Sequence, residues 1–198
     1  MPGFNNIELP PSIPVAEYDL TNNPLKTTIF KLIKRTLTTP HSLVFKGKSS
    51  HNNFSKLESV NFLYNEPKLY HEFQGYVNEF CDYLGVKRGT ITQSWFNKME
   101  KGGYTLPHVH WGSIVVGAYY PKLESGTCDL LLTNPTRNLH GAQLPLKKTD
   151  YTLEKYKIKV KQDHLYLFPG WVEHSTEINT GGERIVISLN AMPWGEQN

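Results

Sequence analysis

Apolar positions change their period partway along the chain. Leu69, Phe73, Val77, Phe80 and Leu84 recur at steps of four, four, three and four, the repeat of one face of an α-helix, which predicts a helix over this segment. Asn65 and Pro67 suit its start and Gly85 its end, because proline's missing N–H costs nothing in a first turn and glycine readily closes a last one. Beyond Gly89 the helical repeat gives way to short runs of β-branched and aromatic residues, each closed by Gly, Pro, Asn or Asp. The predicted strands are Thr90–Asn97, Ser113–Tyr120, Cys128–Asn134, Tyr156–Gln162, His164–Phe168 and Arg184–Met192. Strands at this spacing mean a sandwich or a barrel. In the last of them Ile185, Ile187 and Leu189 point one way, and Arg184, Val186, Ser188 and Asn190 the other. One face is expected against the Leu69–Leu84 helix, the other inside the barrel.

The first third of the chain, residues 1 to about 66, is less regular. It holds proline-rich strand-like pieces, a short amphipathic segment from Pro24 to Arg35 and a polar stretch from Lys46 to Lys56. The reading is therefore one domain over residues 1–198, mainly β with N-terminal helices: residues 1–88 form a strand-and-helix cover and residues 89–193 the β core. No repeat of fixed period occurs, which argues against a solenoid or propeller.

Composition excludes several classes. Apolar residues make up 38% and charged residues 20% of the chain, and aromatics are plentiful, so disorder is ruled out. A formal charge of +3 is too small to name a nucleic-acid partner. Cys81 and Cys128 have neither zinc-like spacing nor a disulfide framework, which suits reduced thiols. The amino terminus lacks a basic region followed by an apolar one, and no run approaches a membrane span, so a cytoplasmic location is expected.

The chemistry centres on Pro107-His108-Val109-His110. In extended backbone, residues i and i+2 project to one side, so both imidazoles can reach one ion, although such pairs also occur on surfaces and in cores. Later, Leu165-Tyr166-Leu167-Phe168-Pro169-Gly170-Trp171-Val172-Glu173-His174 is an apolar strand whose following turn delivers another histidine. A jelly roll would lay this strand beside the earlier one and bring His174 toward His108. Ten positions on, Arg184 opens the last strand on its polar side; a buried arginine needs an anion, and its planar fork suits a carboxylate.

The segments SWFNKMEKGGYTLPHVH, SIVVGAYYPK, GTCDLLLTNP, LYLFPGWVEH and ERIVISLN, over about Thr90 to Pro193, resemble the iron(II)- and 2-oxoglutarate-dependent oxygenases. The resemblance is to a branch with an H-x-H motif and to prolyl-hydroxylase-like relatives. It implies a double-stranded β-helix, the cupin-like jelly roll, and an enzyme that uses Fe(II), 2-oxoglutarate and O2 to hydroxylate a primary substrate, releasing succinate and CO2. It implies further that His108 and His174 are metal ligands and that Arg184 pairs with the cosubstrate's distal carboxylate. Tyr120 is expected against the same carboxylate, and Ser188 shares Arg184's strand face. The family usually carries Asp or Glu two residues after the first histidine, whereas this chain has His110. Either the site has three histidines, His108, His110 and His174, or His110 touches the ligands or the substrate instead.

Two other classes stay open at this stage. A cupin metal-binding protein, acting as an isomerase, a cosubstrate-independent dioxygenase or a binding module, would also begin its site with H-x-H; it would lack its usual glutamate, since Ile114 and Val115 stand there. A metal-free β-sandwich binding module would use the histidines only for packing. Trp95, Trp111 and Trp171 flank the motif strands and suit either a substrate mouth or the core. Lys147, Lys148, Lys155, Lys157, Lys159 and Lys161 fit an edge strand kept from aggregation by charge, with an anionic-substrate contact as the alternative. The primary substrate and the oligomeric state are not encoded legibly.

Overall fold

The structure is a computed structural model that describes residues 5–9, 13–51, 61–138, 147, 149 and 152–193. Strands β1 (Asn5–Leu9) and β2 (Ile13–Asp19) lead to helix α1 (Lys26–Arg35), then β3 (Thr39–His41) and β4 (Val44–Ser49). A 3-10 turn at Phe62–Asn65 precedes helix α2 (Pro67–Leu84). The remaining strands are β5 (Gly89–Thr105), β6 (Val115–Leu123), β7 (Leu130–Thr133), β8 (Lys155–Ile158), β9 (His164–Pro169), β10 (His174–Thr176) and β11 (Arg184–Pro193).

Helix α2 forms where its apolar repeat predicts. Pro67 stands in its first turn, and Gly85 closes it at φ 67°, in the left-handed region where a Cβ would be strained. Leu69, Phe73, Val77 and Phe80 are fully buried. Helix α1 buries Ile29, Leu32 and Ile33 in the same way.

The strands form two sheets. The larger runs β1-β2-β9-β6-β11-β5-β4-β3, the smaller β10-β7-β8, and all their pairings are antiparallel. This is the jelly-roll core that the strand pattern and the resemblance imply. Its two apolar layers follow from strand parity. Ile185, Ile187 and Leu189 join Phe96, Tyr119, Leu165 and Leu167 in packing against α1 and α2. Val186 joins Val116, Tyr120, Tyr166 and Phe168 from the large sheet with Leu130, Leu132, Tyr156 and Ile158 from the small one. The alternation read in β11 is therefore the division between outer packing and sheet interior.

Several element bounds differ from the sequence reading. Strand β5 runs to Thr105 rather than stopping at Asn97, because β4 pairs with its second half, Ser49 opposite Asn97 and Val44 opposite Thr105. Strand β4 lies in the segment read as polar: Lys46 and Lys48 are exposed, and Lys46 has a positive φ that interrupts the alternation. Strand β8 ends at Ile158, where the chain turns and Asp129 Oδ1 accepts the Val160 N–H. Its outer edge carries Lys157, paired with Glu177 at 2.5 Å; Lys148 lies outside the described residues. Among the described residues no helix is long and apolar enough to cross a membrane.

Candidate metal and cosubstrate site

The H-x-H pair does not sit in a regular strand. His108 makes an isolated antiparallel bridge with His174: the His108 N–H donates to the His174 carbonyl at 3.0 Å and the His174 N–H to the His108 carbonyl at 2.9 Å. His110 stands at a turn, its carbonyl accepting from the Ser113 N–H at 3.1 Å and its N–H donating to the Gly170 carbonyl at 3.3 Å. The segment after β9 thus grips both ends of the motif. Strand β10, three residues long and absent from the sequence reading, fixes His174 opposite Leu132 of β7.

Gly170 allows this close approach. A Cβ there would fall 2.1 Å from the Ser113 carbonyl oxygen, against backbone that has no rotamer to move. Gly170→Ala is expected to lower stability by about 1–3 kcal/mol, the usual cost of overpacking, and to weaken metal binding by parting the two loops. Thermal unfolding and zinc titration would check it; an unchanged midpoint would mean that the loops yield freely.

The three rings converge. Centroids of His108 and His174 lie 4.3 Å apart, those of His108 and His110 4.9 Å, and those of His110 and His174 5.1 Å. One nitrogen from each lies within 4.8 Å of the others. Nδ1 of His108 is 2.8 Å from the Leu106 carbonyl, and Nδ1 of His174 is 3.0 Å from the Val172 carbonyl. A carbonyl only accepts, so each Nδ1 carries the proton and each Nε2 keeps its lone pair for a cation. Burial favours the neutral ring throughout. It is the main cause that lowers the His108 pKa, brings that of His110 down to about 4 and takes that of His174 well below the usual histidine value, with neighbouring imidazoles adding to the effect on the last two. Neutral imidazole is the ligating form.

These rings line a cavity of about 390 Å³ between the sheets, and Arg184, Tyr120 and Ser188 line it too. Arg184 is 2% exposed. Its Nη2 donates to the Tyr120 hydroxyl at 3.2 Å, and its guanidinium carbon lies 4.8 Å from the centre of the Tyr120 ring. Its Nε is buried without a partner, and among the described residues no carboxylate pairs with it. Burying such a charge costs several kcal/mol unless an anion compensates it, so the cavity is built for one. Tyr120, its phenol held protonated by burial, accepts from Arg184 and keeps its own O–H to donate.

The sequence reading missed part of the lining. His41 from β3 and His51 just after β4 both border the cavity, and the His51 ring lies 4.7 Å from Trp95 and 5.5 Å from His41. Gln93, Asn97 and Asn190 border it as well. Trp95 and Trp111 reach the cavity, whereas Trp171 is not among its lining residues.

A jelly roll with three convergent imidazoles and a buried guanidinium around one cavity can hold a metal ion beside an anion. A family model described as "Putative 2OG-Fe(II) oxygenase" matches residues 93–190, and the chain belongs to the iron(II)- and 2-oxoglutarate-dependent oxygenases. No curated protein sequence matches it. Among solved structures, HygX from Streptomyces hygroscopicus with nickel, 2-oxoglutarate and hygromycin B bound superposes with a TM-score of 0.58 at 11% identity, covering 90% of this chain and 82% of its own. A Pseudomonas putida prolyl-4-hydroxylase gives 0.55 at 10% identity, covering 91% and 93%. A prolyl hydroxylase from Trichoplax adhaerens, in complex with a hypoxia inducible factor peptide fragment, gives 0.53 at 14% identity, covering 90% and 83%. At these identities the likeness shows the shared fold. The family match favours an oxygenase over the cupin alternative, which left Arg184 without a task. The enzyme's cofactors are iron(II), 2-oxoglutarate and dioxygen.

Proposed function

We propose that His108, His110 and His174 hold the iron, that Arg184, Tyr120 and Ser188 hold the distal carboxylate of 2-oxoglutarate, and that a substrate C–H bond in the same cavity is hydroxylated. The observation that carries this is the buried guanidinium of Arg184, without a carboxylate partner among the described residues, lining the cavity that the neutral imidazoles share. When bound together, iron(II), 2-oxoglutarate and dioxygen supply the oxidant, with succinate and CO2 released. The chain's own residues do the rest. The carbonyls of Leu106 and Val172 fix two rings in the donor tautomer. Arg184 and Tyr120 orient the dicarboxylate by charge-assisted hydrogen bonds, and Ser188, on the same strand face, adds a hydroxyl. Val116, Ala118, Leu130, Phe168 and Val186 line the interior with apolar groups that exclude water. That HygX binds a metal and 2-oxoglutarate on the same fold supports this assignment.

Succinate release from 2-oxoglutarate by the iron-loaded protein tests the reaction. His110→Ala is expected to lower iron affinity as severely as His108→Ala, because one nitrogen from each ring lies within 4.8 Å of the others and burial favours the neutral form of both. A chelator-competition titration in which only His108→Ala and His174→Ala lose metal would reassign His110 to contact with ligands or substrate.

A further inference from the structure

Opposed positions on β5 and β11 run in rows, Arg184 opposite Met99, Val186 opposite Asn97, Ser188 opposite Trp95 and Asn190 opposite Gln93, and all of these but Met99 line the cavity. The His110 ring lies 5.7 Å from Trp95, so the imidazoles stand near the middle of this ladder. Arg184 is at one end. Asn190 is at the other, roughly 20 Å away at about 3.3 Å per strand residue. On the assignment above, the cosubstrate fills the Arg184 end and leaves the amide end to the primary substrate.

That end has a distinct chemistry. Arg184 is the only Arg, Lys, Asp or Glu among the described residues lining the cavity. Asn190 Nδ2 donates to Gln93 Oε1 at 3.0 Å, which leaves the Gln93 amide N–H groups available, while Asn190 Oδ1 is buried with no partner among the described residues. Trp95 supplies a wall. Trp111, 88% exposed, stands at the rim in the turn after His110.

We infer that the part of the primary substrate entering this site is uncharged, hydrogen-bonds through amide or hydroxyl groups to Gln93 and Asn190, and lays a flat apolar face against Trp95 and Trp111. An acid or an amine would bring a charge that no side chain at this end compensates. An amide or alcohol instead satisfies the Asn190 carbonyl oxygen, which is otherwise buried unpaired. This rests on the function proposed above.

The test uses the whole chain loaded with zinc(II) and saturating 2-oxoglutarate, and four matched probes: benzamide, benzyl alcohol, benzoate and benzylamine. Ligand-detected NMR is expected to show benzamide and benzyl alcohol binding at least about tenfold more tightly than the two charged probes. Trp111→Ala, at an exposed site that does not endanger folding, is expected to weaken benzamide about two- to tenfold. Asn190→Asp keeps the side-chain shape and is expected to shift the preference toward benzylamine, a change that a merely structural asparagine would not produce. Benzoate or benzylamine binding as tightly as benzamide, no probe binding to the loaded protein, or an order unchanged by Asn190→Asp would overturn the inference. A protein that fails to take up 2-oxoglutarate shows this before any probe is added and overturns the underlying assignment instead.

Discussion

Replacing Arg184 by alanine is expected to weaken 2-oxoglutarate binding by about a hundredfold or more while leaving zinc binding intact, since a lost charge-assisted pair in a desolvated site is worth about 3 kcal/mol. The guanidinium is the one formal positive charge among the described lining residues, and its distance along β11 from the imidazole cluster keeps the effect local. A second readout separates binding from folding. Without cosubstrate, Arg184 is a buried charge whose hydrogen-bond partner among the described residues is the Tyr120 hydroxyl alone. Arg184→Met should therefore unfold at the same temperature as the parent or higher in the absence of 2-oxoglutarate, and should lose the parent's stabilisation by it. Titration calorimetry on the zinc-loaded protein measures the first effect and thermal unfolding the second. Undiminished affinity would remove the basis for the cosubstrate assignment.

Loss of His174 is expected to be as severe for the metal. His174→Ala removes the most deeply buried of the three rings and should cut zinc or iron affinity by at least about a hundredfold, since altering even the groups that orient metal ligands costs ten- to a hundredfold. The backbone bridge to His108 does not depend on the side chain, so the fold should persist. Competition with a coloured chelator would measure the loss, and the rise in unfolding temperature on adding zinc to the parent should vanish in the variant. A variant that still binds the metal normally would show that the imidazole cluster is a packing feature.

Much of this arrangement was legible because buried elements carry strong periods. The step-of-four repeat from Leu69 to Leu84 and the alternation of Ile185, Ile187 and Leu189 with Arg184, Val186 and Ser188 each report a face pressed against a neighbour. Gln93, Trp95 and Asn97 obey the same parity on β5 and could have been assigned to the cavity by the reasoning applied to β11. What was illegible has a different physical origin. Strand β4 shows lysines outward, and its pairing with β5 depends on hydrogen bonds between backbones, which leave no apolar pattern. His41 and His51 were hidden with it. Strand β10 is too short for any period, and the approach of His110 depends on a turn and on the missing side chain of Gly170, not on the i, i+2 geometry of a strand.

The reciprocal peptide bonding between His108 and His174 has a consequence for how the enzyme is charged with its ion. The rung joins residues remote in sequence through peptide groups alone, so its ordering belongs to folding and not to ion binding. Loading should then be a docking event on a rigid seat, fast and with little change in amide-proton exchange around the rung, unlike metallo-domains that fold around their ion.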